Sequence, residues 1–359
     1  MKIIENKARE NEYMILGEFY NLSEILLFDI ETTGFTAETT SLYLIGCAYF
    51  QGNEWFIRQW FNDDGASERD ILVDFLKFAN NYKYIMHYNG DGFDLPYISK
   101  KIKANKLTGS ELSDTLKNLE SVDLYKLLKP FKETFHVDNL KQKSIEKYLG
   151  INRLDKYTGG DLIKVYTDYL KNNSETGKQL LLQHNYEDLE GLLYTSSLIG
   201  VCRFKAGCFT VRKMSVRQER LLFSLSLDYT LPKRITLGTN DIIITAYLKE
   251  ATVNVPIITD TLKFFFDNYR EYYYLPAEDM AVHKSVATYV DKNYRQPATK
   301  KNCYVKRYGH YISQIDSGIL SGYKREYDDK ETYIELVDSF LQDMDMLNAY
   351  ARYVISKLL

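Results

Sequence analysis

Residues 1–204 switch repeatedly between a two-residue and a 3.6-residue hydrophobic period. Leu22–Ile30 reads as a strand. Leu42–Phe50 and Trp55–Phe61 read as two more, and Gln51-Gly52-Asn53 between them predicts a hairpin. Glu68–Asn81 places Ile71, Leu72, Phe75, Leu76 and Ala79 at helical spacing. Tyr84–His87 is a short strand. Leu95–Asn105 is a helix with Pro96 in its first turn, where a missing N–H costs nothing. Leu119–Asp123 reads as a strand and Leu124–Leu128 as a short helix. Asn139–Leu149 is a helix stopped by Gly150, and Gly160–Asn172 and Ser174–Ile199 are two more. Strands interleaved with helices, one pair forming a hairpin, predict an α/β domain: a mixed sheet with helices on both faces.

Beyond residue 204 the pattern changes. Leu221–Tyr229, Ile242–Leu248 and Thr252–Ile258 are strand-like, and Met280–Val290 and Thr332–Leu358 read as helical. The expected organisation is therefore an α/β domain over 1–204 and an α+β accessory domain over 205–359. A chain of 359 residues exceeds what one core usually serves, which agrees with two domains.

Composition narrows the partners. A net charge of −3 excludes a wholesale basic coat, although a local basic groove stays open. Val201–Arg220 carries six basic residues and one acid, and Lys292–Tyr311 carries six basic residues, no acid, and Tyr294, Tyr304, Tyr308 and Tyr311. Such interleaving suits single-stranded nucleic acid, and equally suits a solvated strand with tyrosines packed inward. The acidic Glu326–Asp345 stretch reads as a solvated helical face. Cys47, Cys202, Cys208 and Cys303 fit no zinc spacing and read as reduced thiols. The polar N-terminus lacks a signal-peptide stretch, and no apolar run would span a bilayer. A cytoplasmic protein is the expectation.

The chemistry lies in Phe28-Asp29-Ile30-Glu31-Thr32-Thr33-Gly34. Residues at i and i+2 of a strand point to one face, so Asp29 and Glu31 project together from an apolar element. Two crowded carboxylates call for a divalent cation. Asn89-Gly90-Asp91-Gly92-Phe93-Asp94 follows the short strand, with Asp94 expected at a helix N-cap. Asp123 at the next strand end reads as another cap. In His184-Asn185-Tyr186-Glu187-Asp188, the first and last residues share a helix face.

Strand-borne Asp-x-Glu, then Asn-Gly-x-x-Phe-Asp, then His-x-x-x-Asp resembles the DnaQ-like, or DEDD, 3′–5′ exonuclease superfamily over residues 22–200. The YprB-type ribonuclease H-like branch is the nearest likeness, since it also sets histidine and asparagine ahead of the last aspartate. Asn139-Leu140 through Glu146-x-x-Leu149-Gly150-Ile151 is similar to its middle region. The resemblance implies a ribonuclease H-like fold. Asp29, Glu31, Asp94 and Asp188 would be ligands of two Mg²⁺ or Mn²⁺ ions, and His184 the general base. In the histidine subclass the base lies five before the final aspartate, here Gln183. In the tyrosine subclass it lies four before, here His184.

The implied activity is 3′–5′ exonucleolytic hydrolysis of DNA or RNA by a two-metal-ion mechanism, releasing nucleoside 5′-monophosphates. Single-stranded 3′ ends are the expected partner. Thr32, Thr33 and Gly34 would meet phosphate or sugar, Phe35 would stack on a terminal base, and Asn89 would bond substrate or shape its turn. The alternative is a catalytically weak nucleic-acid-binding or scaffold protein that keeps the fold.

Overall fold

A computed structural model describes residues 1–359 except Ser110, Asp155 and Asn240. The chain forms two compact units. The first is Met1–Cys202 with Tyr229–Lys233, and the second is Arg203–Asp228 with Arg234–Leu359.

In the first unit, six strands among the described residues form one sheet. They are β1 (Lys2–Lys7), β2 (Ile25–Thr32), β3 (Leu42–Gln51), β4 (Glu54–Phe61), β5 (Tyr84–His87) and β6 (Glu120–Asp123), in the order β1-β4-β3-β2-β5-β6. The pairs from β1 through β2 are antiparallel, and β2-β5-β6 are parallel. The helices are α1 (Glu68–Ala79), α2 (Asp94–Ala104), α3 (Thr115–Asn118), α4 (Leu124–Leu128), α5 (Lys132–Phe135), α6 (Gln142–Leu149), α7 (Gly159–Asn172) and α8 (Glu175–Thr195), followed by α9 (Ile199–Lys205), whose residues from Arg203 on belong to the second unit.

Alternation along β2 divides the core. Leu26, Phe28 and Ile30 pack with Ile71, Phe75 and Ile98 of α1 and α2. Ile25 and Leu27 face the other way, against Leu189, Leu192 and Leu193 of α8. Burying both faces explains why β2 is almost continuously apolar until Asp29. Helices therefore cover both faces of a mixed sheet, as the sequence predicted.

Some boundaries move, and one strand is new. The strand starts at Ile25 rather than Leu22 and runs on to Thr32. Lys2–Lys7 was not read as an element, yet it pairs with β4 as a charged edge strand. The long final helix of the domain ends at Thr195, and a 3₁₀ turn over Ser196–Leu198 precedes α9.

The second unit is richer in strands than expected. β7 (Thr210–Arg217), β8 (Arg220–Thr239) and β9 (Ile242–Pro256) form one sheet. A second joins β10 (Ile258–Phe265) to β14 (Tyr304–Ser313) and β15 (Tyr333–Glu335). A third joins β11 (Tyr272–Leu275) to β12 (Met280–His283) and β13 (Gln296–Pro297). Met280–Val290 is thus not a helix: its first half pairs with β11, and only α10 (Lys284–Ala287) is helical. Thr332–Leu358 likewise begins as β15 before α11 (Asp338–Leu341) and α12 (Met344–Leu358). The acidic 326–345 stretch is mostly non-helical for the same reason. The four cysteines are free. No helix among the described residues is long and apolar enough to cross a membrane.

Candidate active site

Asp29 in β2 stands opposite Gly46 in β3, and Gly46 stands opposite Gln59 in β4. Residues directly opposite in antiparallel pairs share a face, so these three form a row across the sheet. The missing side chain at Gly46 leaves a notch in that row, and α8 fills it with Asn185. A Cβ on Gly46 would lie 2.1 Å from Asn185 Oδ1 and 2.6 Å from Leu189 Cδ1. Gln59 Nε2 donates to Asn185 Oδ1 at 2.9 Å, and Asn185 Nδ2 donates to Asp29 Oδ2 at 2.8 Å. The amide thus has both ends assigned. Its donor end faces the carboxylate.

Glu31 shares the Asp29 face and is 9% exposed. The β2–β3 register shifts beyond it, so that Thr32 meets Leu42 and Tyr43 is the extra residue of a bulge. Tyr43 stacks on Tyr166 with centroids 4.4 Å apart and brings its hydroxyl 3.4 Å from Glu31 Oε2. From α8, His184 Nε2 lies 3.6 Å from Glu31 Oε1 and 3.2 Å from Asp188 Oδ2. Glu31, His184 and Asp188 each offer one ligand atom within 4.8 Å of the others. Gln183 points elsewhere, donating to Glu187 at 2.7 Å.

Asp94 is the first residue of α2, not its N-cap. Phe93 takes the cap position, without a side-chain cap bond. The Asp94 carboxyl is buried and accepts from the backbone N–H groups of Asp94 and Ile30. Burial drives its pKa up to about 7; those N–H groups oppose the shift, and the charges of Asp123 and Asp188 add to it. Asp29 is pushed well above the usual carboxylate range. Burial is the largest cause, followed by the charges of Asp188, Glu31 and Asp94, while the Asn185 bond pulls it back. The charges of Asp188, Glu31 and Asp94, which come from three separate segments, all act on Asp29.

The neighbouring loop is internally bonded. Thr32 Oγ1 donates to Gly34 O at 2.9 Å, and Thr33 Oγ1 accepts from Ser41 N–H at 2.8 Å. Gly34 closes against Thr40, whose Cγ2 would lie 2.7 Å from an added Cβ. Phe35 is 90% exposed and meets the edge of Phe93 at 5.9 Å, whereas Phe93 packs against the core. Asn89 adopts φ 62° and donates its N–H to Asp123 Oδ1 at 2.9 Å. Asp123 also accepts from Tyr125 N–H at 3.1 Å, as the cap of α4.

Sequence reasoning missed several participants. Asn185 and Gln59 orient Asp29. Arg153 bonds both Asp188 and Glu146, and no spacing signals that pairing. A second cluster, His87, Asp91 and Asp123, also has ligand atoms within 4.8 Å. There, His87 Nδ1 accepts from Gly90 N–H at 3.0 Å, which leaves the proton on Nε2, 2.9 Å from Ser121 Oγ. That imidazole braces the turn that carries Asn89 rather than presenting a lone pair to a metal.

A family model described as RNase_H superfamily matches residues 26–197. DNA polymerase 1 of Aeropyrum pernix is 27% identical over 95 residues, which is 26% of this chain and 8% of the polymerase. The chain thus matches a small part of that relative's length. The family B DNA polymerase of the archaeon Pyrobaculum calidifontis aligns with TM-score 0.40 and 19% identity, over 51% of this chain and 25% of that one. An exonuclease I structure aligns with TM-score 0.30 and 12% identity, over 62% and 55%. The ExoI/SSB-Ct complex aligns with TM-score 0.31 and 10% identity, over 93% and 71%. The matched family and the strand order together show that the first unit has the ribonuclease H-like fold.

Proposed function

We propose that this protein is a metal-dependent 3′–5′ exonuclease. The observation that carries the reading is the grouping of Glu31, His184 and Asp188 beside Asp29, on which the charges of Glu31, Asp94 and Asp188 all act, in a ribonuclease H-like sheet. Carboxylates crowded beside an apolar core repel one another, and burial together with that repulsion raises the proton affinities of Asp29 and Asp94. Oxygen donors of this kind fit Mg²⁺ or Mn²⁺. Asp29, Glu31, Asp94 and Asp188 would hold two ions. When bound, they would supply the positive charge that activates water and stabilises a departing 3′ oxygen.

The chain's own residues have distinct tasks. The Gln59–Asn185 amides hold Asp29 in one orientation. His184, between Glu31 and Asp188, takes the proton of the attacking water. Phe35, exposed at the rim, offers a stacking face to the last base, which suits any sequence. The products are nucleoside 5′-monophosphates. The named relative is a DNA polymerase, so DNA is the first substrate to offer. Of the basic side chains in 292–311, Lys301, Lys306 and Arg307 are engaged by acids of their own unit, which lessens their weight as a phosphate track.

The test is a panel of 3′-end-labelled and 5′-end-labelled single- and double-stranded DNA and RNA, with Mg²⁺ or Mn²⁺. Stepwise shortening from the 3′ end, lost in Asp29→Asn and Asp188→Asn proteins that remain folded, supports the reading. Equal degradation by all three proteins, or none by the wild type, rejects it.

A further inference from the structure

Asp188 does not face the acid cluster alone. Its Oδ1 accepts a bond from Arg153 Nη1, while its Oδ2 lies 3.2 Å from His184 Nε2. Arg153 is itself clamped. Its Nε and Nη2 both bond Glu146 at 2.5 Å, one to each oxygen. A two-point fork of this kind fixes the guanidinium plane as well as its position. The Arg153 and Glu146 side chains are 7% and 1% exposed. Gln142 closes the assembly, donating to Glu146 Oε1 at 3.0 Å and to the Asp188 backbone carbonyl at 2.7 Å. Gly191, one helical turn beyond Glu187 and Asp188, makes room: an added Cβ would lie 1.9 Å from Glu146 Oε1. One cation and two carboxylates are thus locked behind α8.

We infer that Arg153 is a positioning residue that occupies one oxygen of Asp188 and so limits this acid to presenting Oδ2 toward Glu31 and a bound cation. The inference rests on the proposed exonuclease site but concerns a residue outside the acid set. It has a specific consequence. Removing the guanidinium frees the second oxygen and deletes a positive charge next to the cluster. Cation binding then tightens while the geometry needed for hydrolysis is lost. A folding defect would weaken both.

The experiment titrates Mn²⁺ into wild type and Arg153→Met, reading free Mn²⁺ by electron paramagnetic resonance, and measures kcat at saturating Mn²⁺. The expected result is binding about threefold to tenfold tighter, with kcat about 10- to 100-fold lower. Should Arg153→Met fail to fold because Glu146 is left unpaired, the Arg153→Met/Glu146→Gln pair is read by the same two criteria. Unchanged kcat, or binding lost together with turnover, overturns the assignment, as does a wild type that binds no Mn²⁺. A wild type that binds Mn²⁺ but degrades no strand counts against the exonuclease reading. The tightening of Mn²⁺ binding alone then decides the role of Arg153.

Discussion

Asn185 Nδ2 stands 2.8 Å from Asp29 Oδ2, although 156 residues of chain separate them. The contact exists because Gly46 leaves a gap between Asp29 and Gln59 in the same sheet row, and α8 lowers an amide into it. Gln59 holds the carbonyl end, so the amide is not free to flip. A donor fixed in this way favours the charged form of a carboxylate that burial and three other acids push toward protonation.

Asn185→Ala removes that donor. Activity should fall about 10- to 100-fold, the usual effect of losing a group that orients a metal-binding side chain. Asn185→Asp should fall further, because a like charge then faces Asp29. Steady-state assays at several Mn²⁺ concentrations check both, and full activity in Asn185→Ala would reduce the contact to packing.

Gly46→Ala places a methyl group 2.1 Å from Asn185 Oδ1 and against Leu189. Overpacking at a buried helix–sheet contact costs about 1–3 kcal/mol. Urea unfolding should show a lower midpoint with an unchanged slope, accompanied by lost activity even well below that midpoint.

The raised carboxyls make the metal-free protein sensitive to pH. Asp94 titrates at about 7 in the fold but in the ordinary carboxylate range when unfolded, and Asp29 is shifted in the same direction. The folded state therefore holds more protons between about pH 4 and 7, and stability is lost as pH rises through that window. With EDTA present, Tm should decline from pH 5 to pH 8, and Asp94→Asn should flatten the decline. Mg²⁺ should restore Tm at pH 8, with proton release measurable by calorimetry in two buffers at pH 6.5.

Phe35→Ala should leave Tm unchanged, since the ring is 90% exposed. If the ring stacks on a terminal base, KM should rise by a factor corresponding to about 1–3 kcal/mol. Phe93→Ala is the contrast: that ring packs against the core, so its loss should lower Tm.

The first unit was legible because its strands and helices carry clean periods. Two-residue alternation put Asp29 and Glu31 on one face, and helical spacing put His184 and Asp188 on another, where α8 later proves to meet β2. The second unit misled at Met280–Val290 and Thr332–Leu358. Short apolar runs have no period of their own, and pairing with β11 and β14 decided between strand and helix. Asp94 looked like a cap from its place in the chain, yet its carboxyl is buried toward Ile30.

The sequence by itself determined which carboxylates share a strand face and which residues share a helix face, because those relations depend only on local backbone geometry. The tertiary structure alone decided that Asn185 and Gln59 hold Asp29, and that Arg153, clamped by Glu146, takes one side of Asp188. Those contacts join residues from different elements across the sheet and behind α8. No period along the chain encodes the packing that brings them together.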